Sequence, residues 1–401
     1  MYLWDRPILY RMDKNKYGLN TVCTHTGEVG DSVYKGVVSP LYMGTSYAFE
    51  DVDVKRYPRY FNTPNQEGLG KKIAALEHTE KALVFGSGMA AISTTLLAFL
   101  QAGDHVVLQK MLYGGTYALV TEQFERYGIE YSFTEGMTAA EFEDEIRDNT
   151  RLFYLETPSN PLLTLTDLKA VSHLAKKHGI LTAIDNTFAS PVNQNPADFG
   201  IDLVIHSATK YMGGHSDIVA GAVAGSADHI TRIFHLARSL GGNLSDYTVW
   251  LLERSIKTMG IRVRAQNDNA GRMARFLQAH PDIEAVYYPG LESHPGHEIA
   301  RAQMKGFGGM LSFELKEGLD VSQFQHHLQL VKSAMSLAGV ESAVLTPAKT
   351  SHALLPPEER KKVGITDGLI RFSLGIEDFE DLQADVSQAL KKLKTSKAVS
   401  S

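Results

Sequence analysis

From Ala74 to about Leu252, short β-rich runs alternate with helical stretches, and this alternation restricts the possible fold more than any other feature of the chain. Lys81–Phe85, His105–Gln109, Leu152–Leu155, Ile180–Ile184 and Leu203–Ile205 read as strands. Met89–Leu100, Thr116–Tyr127 and Asp167–His178 read as helices, and in the last of these Leu168, Val171, Leu174 and Ala175 share one face. Strands interleaved with helices imply an α/β fold with a large, mostly parallel sheet covered on both faces. After Leu252 the alternation weakens. A long helix is expected from Leu244 past Met259, another near Asn269–Ala279, strands at Met310–Leu315 and Leu369–Leu374, and a last helix over Phe379–Leu393. That pattern implies a smaller C-terminal α+β domain. Residues 1–56 show no helix period and read as an extended arm that contacts a neighbouring subunit. The expected division is therefore an arm (1–56), a large domain (57–255) and a small domain (256–401).

Composition excludes several classes. With 401 residues, 43% hydrophobic and 21% charged, the chain is an ordinary globular one, long enough for a large core. A formal charge of −6 and a pI near 6.2 do not suggest a nucleic-acid partner. The one basic run, Lys391–Lys397, reads as a solvated helix end. Cys23 is the sole cysteine, so no intrachain disulfide forms, which agrees with a reducing compartment. Leu96–Leu100 is too short an apolar stretch to span a bilayer, and Met1–Asn20 lacks the apolar centre of a signal peptide. A soluble cytoplasmic protein without a metal site is expected.

Ligands of open α/β sheets sit at the carboxyl ends of the strands. Four candidate groups fall at such ends. Gly86-Ser87-Gly88-Met89 joins a strand to a helix, where small residues and free N–H groups suit a phosphate. The run also matches G-x-G-x-x-A through Ala91, but a dinucleotide site wants an acid at the end of the next strand, and Gln109-Lys110 stands there. Asp185 ends the strand Ile180–Ile184; taken alone it is a capping residue or the partner of a buried cation such as a protonated pyridine nitrogen. Ser207-Ala208-Thr209-Lys210 ends the following strand, where an inward lysine suits imine formation with an aldehyde cofactor. Ser207 and Thr209 would add hydroxyls to the phosphate bound by Gly88 and Met89. Tyr113, in Leu112-Tyr113-Gly114-Gly115, is either a core tyrosine or a ring that stacks on a flat heterocycle. Asp185 precedes Lys210 by 25 residues, downstream of a phosphate loop, and this conjunction fits pyridoxal 5'-phosphate better than any other cofactor.

Longer stretches carry a resemblance. Glu156-Thr157-Pro158-Ser159-Asn160-Pro161, Asp185-Asn186-Thr187-Phe188, Ser207 through Asp217, and Ile370 through Glu377 resemble the trans-sulfuration (Cys/Met metabolism) enzymes of pyridoxal-phosphate fold type I, over about Val22 to Leu393. The resemblance implies an aspartate-aminotransferase-like fold and a set of roles. Lys210 would hold the cofactor as a Schiff base and shuttle protons. Asp185 would pair with the pyridine nitrogen, and Tyr113 would stack on the ring and act on the leaving group. Gly88, Met89, Ser207 and Thr209 would hold the phosphate, joined by Tyr57 and Arg59 of a neighbouring subunit. Arg371 would clamp the substrate carboxylate, helped by Asn160 and Ser336. A homotetramer built from two such dimers is implied.

This chain departs from the family's Tyr-Ser-Arg-x-x-Asn-Pro-Thr, reading Tyr57-Pro58-Arg59-Tyr60-Phe61-Asn62-Thr63-Pro64, and from Met-Thr-His, reading Thr350-Ser351-His352. Gly115 stands where methionine γ-lyases generally carry cysteine, which argues against methionine as the main substrate. Ser336 through Ser342 resembles the branch of cystathionine γ-synthase and γ-lyase, and Glu341 is the implied contact for the distal amino group. A carbon–sulfur lyase acting by γ- or β-elimination is expected, with γ-replacement on an acylhomoserine as the alternative.

Overall fold

In the computed structural model, the described residues are 17–350, 358, 360 and 364–399, the side chains of 394–399 excepted. Ser351 and His352 lie outside them. Seven strands form the first sheet: β1 (Lys81–Phe85), β2 (His105–Leu108), β3 (Glu130–Phe133), β4 (Thr150–Glu156), β5 (Leu181–Asp185), β6 (Leu203–His206) and β7 (Gly221–Gly225). Their order is β1-β7-β6-β5-β4-β2-β3. Only β7 runs against the rest, pairing antiparallel with β1 and β6. The carboxyl ends of β1, β2, β4, β5 and β6 therefore share one rim.

The central strands read as unbroken apolar runs because both faces are buried. Leu152 and Tyr154 join the core on one side of the sheet, and Phe153 and Leu155 the core on the other. Each such side chain stabilises the fold by about 1.5–3 kcal/mol. The helix Leu168–His178 shows why local sequence suffices in places. Asp167 caps its first turn by accepting the Ala170 N–H at 3.0 Å, Gly179 ends it with φ of 66°, and Leu168, Val171, Leu174 and Ala175 are all buried.

A second sheet holds β8 (Ile283–Tyr287), β9 (Met310–Leu315), β10 (Lys332–Ser333), β11 (Ala343–Leu345) and β12 (Leu369–Ser373), in the order β10-β11-β12-β9-β8. The expected fold class, a large mixed sheet plus a smaller α+β unit, is what these elements form.

Two expectations are corrected. The region read as an arm without helix contains a helix at Leu19–His25. Seven residues carry too little periodicity to announce themselves. Tertiary contacts hold this helix, with Val22 and Cys23 buried and Lys72 Nζ donating to the Cys23 carbonyl at 2.7 Å. The expected continuous helix from Leu244 past Met259 is instead two helices, Asp246–Ile256 and Met259–Gln278. At the break the Ser255 carbonyl accepts the Thr258 N–H (3.3 Å) and the buried Arg262 guanidinium (3.0 Å), which also donates to the Tyr211 carbonyl (3.0 Å).

Candidate active site

The rim and the second sheet enclose a cavity of about 710 Å³. This is within the usual size of a small-molecule site.

Its floor is the turn after β1. Ser87 caps the helix Gly88–Phe99 by accepting the Ala90 N–H at 3.0 Å, which leaves the N–H groups of Gly88 and Met89 at a helix start facing the cavity. A Cβ at Gly88 would lie 2.9 Å from Ser207 Cβ, so this cradle closes with any larger residue. Ser207 donates its backbone N–H to Thr187 Oγ1 at 2.8 Å, and its side chain lines the same floor. Thr209 differs from expectation in one respect. Its hydroxyl is engaged with the Ala220 backbone, donating to the carbonyl at 3.1 Å and accepting the N–H at 3.0 Å, so binding a phosphate would require an exchange of partner.

Asp185 ends β5 and is buried. Its carboxylate accepts the Thr187 N–H at 3.0 Å and forms no ion pair among the described residues. Burial pushes its carboxyl above the ordinary range, against the pull of the Thr187 hydrogen bonds, His206 and Lys210. A buried acid that faces a cavity and lacks a cation is what a protonated heterocycle needs as a partner.

Lys210, after β6, reaches across the cavity and donates from Nζ to Ser336 Oγ at 2.7 Å. Burial and, second, Arg371 pull its ammonium down to about 8, with Asp185 opposing. A usable share of free amine is therefore present near neutrality.

Arg371 comes from β12. Its Nη1 donates to Asn160 Oδ1 at 3.1 Å and its Nη2 to the Ser336 carbonyl at 2.8 Å. Burial lowers it to about 10, so it remains a guanidinium at neutral pH. Ser336 holds φ at 81°, in the left-handed region, and serves Lys210 with its hydroxyl and Arg371 with its carbonyl.

Tyr113 lines the cavity and is half exposed. A Cβ at Gly115 would lie 2.5 Å from its ring, so a side chain there would displace the tyrosine.

Three expected residues lie elsewhere. Tyr57 and Arg59 are outside this cavity; the Arg59 guanidinium rests on the rings of Tyr57 (5.7 Å) and Tyr60 (5.3 Å) and donates to the Arg238 carbonyl. Glu341 lines an adjoining cavity of about 450 Å³ with Asp217 and Lys332, and Ser336 and Leu337 line both cavities. The altered loop has a local reason. Thr63 and Gln66 form a capping box, and Pro64 opens the helix Pro64–Leu76.

Some site residues carried no sequence expectation. Glu156, at the end of β4, accepts the Tyr113 N–H at 2.7 Å. Thr187 bonds both Asp185 and Ser207. Behind them His206 and Asn186 both bond the buried Glu77. Glu156, Asn186, Thr187 and His206 lie in or beside the quoted motif stretches, but a motif does not say which neighbour a side chain serves.

These groups fit pyridoxal phosphate: a phosphate cradle, an uncompensated buried acid, a partly neutral lysine and a guanidinium for a carboxylate. Comparison with known proteins agrees. Residues 20–391 match the family described as Cys/Met metabolism PLP-dependent enzyme. Cystathionine gamma-lyase of Bacillus subtilis (strain 168) is 44% identical over 93% of this chain and 99% of its own length. Cystathionine beta-lyase of the same organism is 42% identical over 95% of this chain and 98% of its own. The crystal structure of cystathionine gamma synthase from Xanthomonas oryzae pv. oryzae, in complex with aminoacrylate and cysteine, has a TM-score of 0.91 at 38% identity, covering 94% of this chain and 99% of that one.

Proposed function

This chain belongs to the Cys/Met metabolism PLP-dependent enzyme family, and we propose that it is a carbon–sulfur lyase of trans-sulfuration acting on cystathionine or a related thioether amino acid. The observation that carries the reading is the convergence of Lys210, Asp185 and Arg371 on one cavity.

When bound, pyridoxal phosphate supplies an electron-accepting ring that stabilises negative charge at the substrate Cα. The chain's own residues do the rest. Gly88, Met89 and Ser207 would hold the phosphate through N–H and hydroxyl donors. Asp185 would hold the proton on the ring nitrogen, and Tyr113 would cover the ring. Lys210 would hold the cofactor covalently through Nζ. Once the substrate amine has taken its place, the free Lys210 amine would take the Cα proton. Arg371 receives the substrate α-carboxylate with its guanidinium already oriented by Asn160 and Ser336. The Tyr113 phenol delivers a proton to the departing sulfur. γ-Elimination also requires proton removal at Cβ, which β-elimination does not.

A substrate panel tests the reaction. The expected product from cystathionine is 2-oxobutyrate. Pyruvate would make the enzyme a β-lyase, and cystathionine formed from acylhomoserine and cysteine would make it a synthase. Turnover of none of these would sink the trans-sulfuration reading.

The chain is further proposed to work as a cytoplasmic homotetramer of two dimers, in which Tyr57 and Arg59 complete a neighbour's phosphate site. In support, Val33, Tyr34, Val37 and Phe49 of the same segment are exposed, with Tyr34 at 89%. No described helix is long and apolar enough to cross a membrane. Subunit mixing tests the shared site. Inactive Lys210→Ala and impaired Arg59→Ala proteins, unfolded and refolded together, should regain roughly a quarter of the native sites. No recovery would contradict sharing.

A further inference from the structure

Glu156 is, with Asp185, one of the two buried acids that line the cavity, and it has no role in the reading above. It is in register with Asp185 on the adjacent parallel strand, and both are buried. Among the described residues it forms no ion pair. Its two carboxylate oxygens go to the backbones of two different site segments. Oε2 accepts the Tyr113 N–H at 2.7 Å, and Oε1 accepts the Asn160 N–H at 3.3 Å. Tyr113 starts the helix Gly114–Gln123, and Asn160 holds Arg371 Nη1 at 3.1 Å.

We infer that Glu156 is a positioning residue which, through these two hydrogen bonds, fixes the ring-covering Tyr113 and the carboxylate-orienting Asn160 relative to each other. The inference rests on reading this cavity as the cofactor site.

The physical case is one of cost against use. Burial, and second the Asp185 carboxylate beside it, push the Glu156 carboxyl up to about 8. An acid so placed destabilises the empty protein once ionised. An uncharged amide would suit a pure packing role better. What the amide lacks is a second acceptor. Glutamine offers one carbonyl oxygen, and its NH2 would face a backbone N–H, so either Tyr113 or Asn160 is released.

Glu156→Gln tests this with two readouts on purified protein. Titration with pyridoxal phosphate should give a Kd about tenfold above wild type, equivalent to about 1.4 kcal/mol. The cofactor-free variant should melt no lower than wild type at pH 8, because relief of the repulsion with Asp185 offsets the lost acceptor. An unchanged Kd would overturn the inference. So would a fall in cofactor-free melting temperature of several degrees, which makes Glu156 a residue of the fold and not of the site. Glu156→Asp keeps the charge but shortens the reach, and covers the case in which the glutamine variant does not fold. It should bind the cofactor as weakly as Glu156→Gln, and wild-type affinity would contradict positioning through these contacts. If the wild type takes up no pyridoxal phosphate, the reading of the cavity fails. If it does and both variants match it, only the role of Glu156 fails.

Discussion

Two lysines, Lys72 fully buried and Lys210 partly buried, have been brought to the same state in different surroundings. Burial is the first cause in each case, and it pulls both Lys72 and Lys210 down to about 8. Lys72 sits in solid core. Its Nζ is spent on the Cys23 carbonyl (2.7 Å) and the Thr24 carbonyl (3.4 Å), where it ties the helix Leu19–His25 to the helix Pro64–Leu76. Lys210 faces the 710 Å³ cavity, and its Nζ donates to the hydroxyl of Ser336, which a ligand can replace. A depressed lysine is thus no mark of chemistry by itself. The open space in front of it, and the acid and guanidinium that share that space, make the difference.

Substitution should separate the two sites most sharply at Lys210. Lys210→Ala is expected to lose about 10³–10⁴-fold in kcat/KM while the cofactor-free protein melts as wild type does, followed by 2-oxo acid release and calorimetry. Near-native turnover would make Lys210 a second Lys72. The reverse pattern is expected at Lys72. Lys72→Met removes the ammonium donor of two carbonyls and a positive charge that acts on the buried Glu253, so stability should fall by about 2–4 kcal/mol in denaturant titration, with kcat per folded molecule within about twofold of wild type. Loss of kcat in a folded Lys72→Met protein would erase the distinction.

The smallest effect concerns the acids. The groups facing Glu156 are Asp185, Tyr154 and, across the cavity, Lys210 and Arg371. For a carboxyl raised from 4.5 to about 8, the stability gain is fully present below the unfolded value and is lost as pH rises through the folded one. The cofactor-free protein should therefore become less stable between pH 5 and pH 8, by on the order of 1–3 kcal/mol. Glu156→Gln should flatten that slope. Lys72 and Lys210, both lowered to about 8, add opposite slopes that begin near the top of this window and act mainly above it. A slope that survives in Glu156→Gln would place its origin elsewhere.

Where the sequence was readable, local rules and burial agreed. β4, β5 and β6 are apolar runs buried on both faces, and the residues at their ends follow from the rule that ligands sit there. β7 was not readable, because Gly221-Ala222-Val223-Ala224-Gly225 has little strand propensity. Its small residues answer to tertiary space, as a Cβ at Gly221 would lie 2.0 Å from the Ser87 carbonyl oxygen. The role of Glu156 was hidden for a related reason. Its partners are backbone N–H groups, which every residue but proline carries, so no pairing of side-chain types points to them. Glu341 was legible only through its motif, and the fold sets it in the adjoining cavity, which shares Ser336 and Leu337 with the first.

The contrast between the two lysines also frames the most direct test of the central claim. Wild-type protein saturated with pyridoxal phosphate would be reduced with borohydride, digested and mapped by mass spectrometry. A pyridoxyl group on the peptide containing Lys210, and none on the peptide containing Lys72, is the expected result. Label on Lys72, label spread over surface lysines, or no stable label would contradict it.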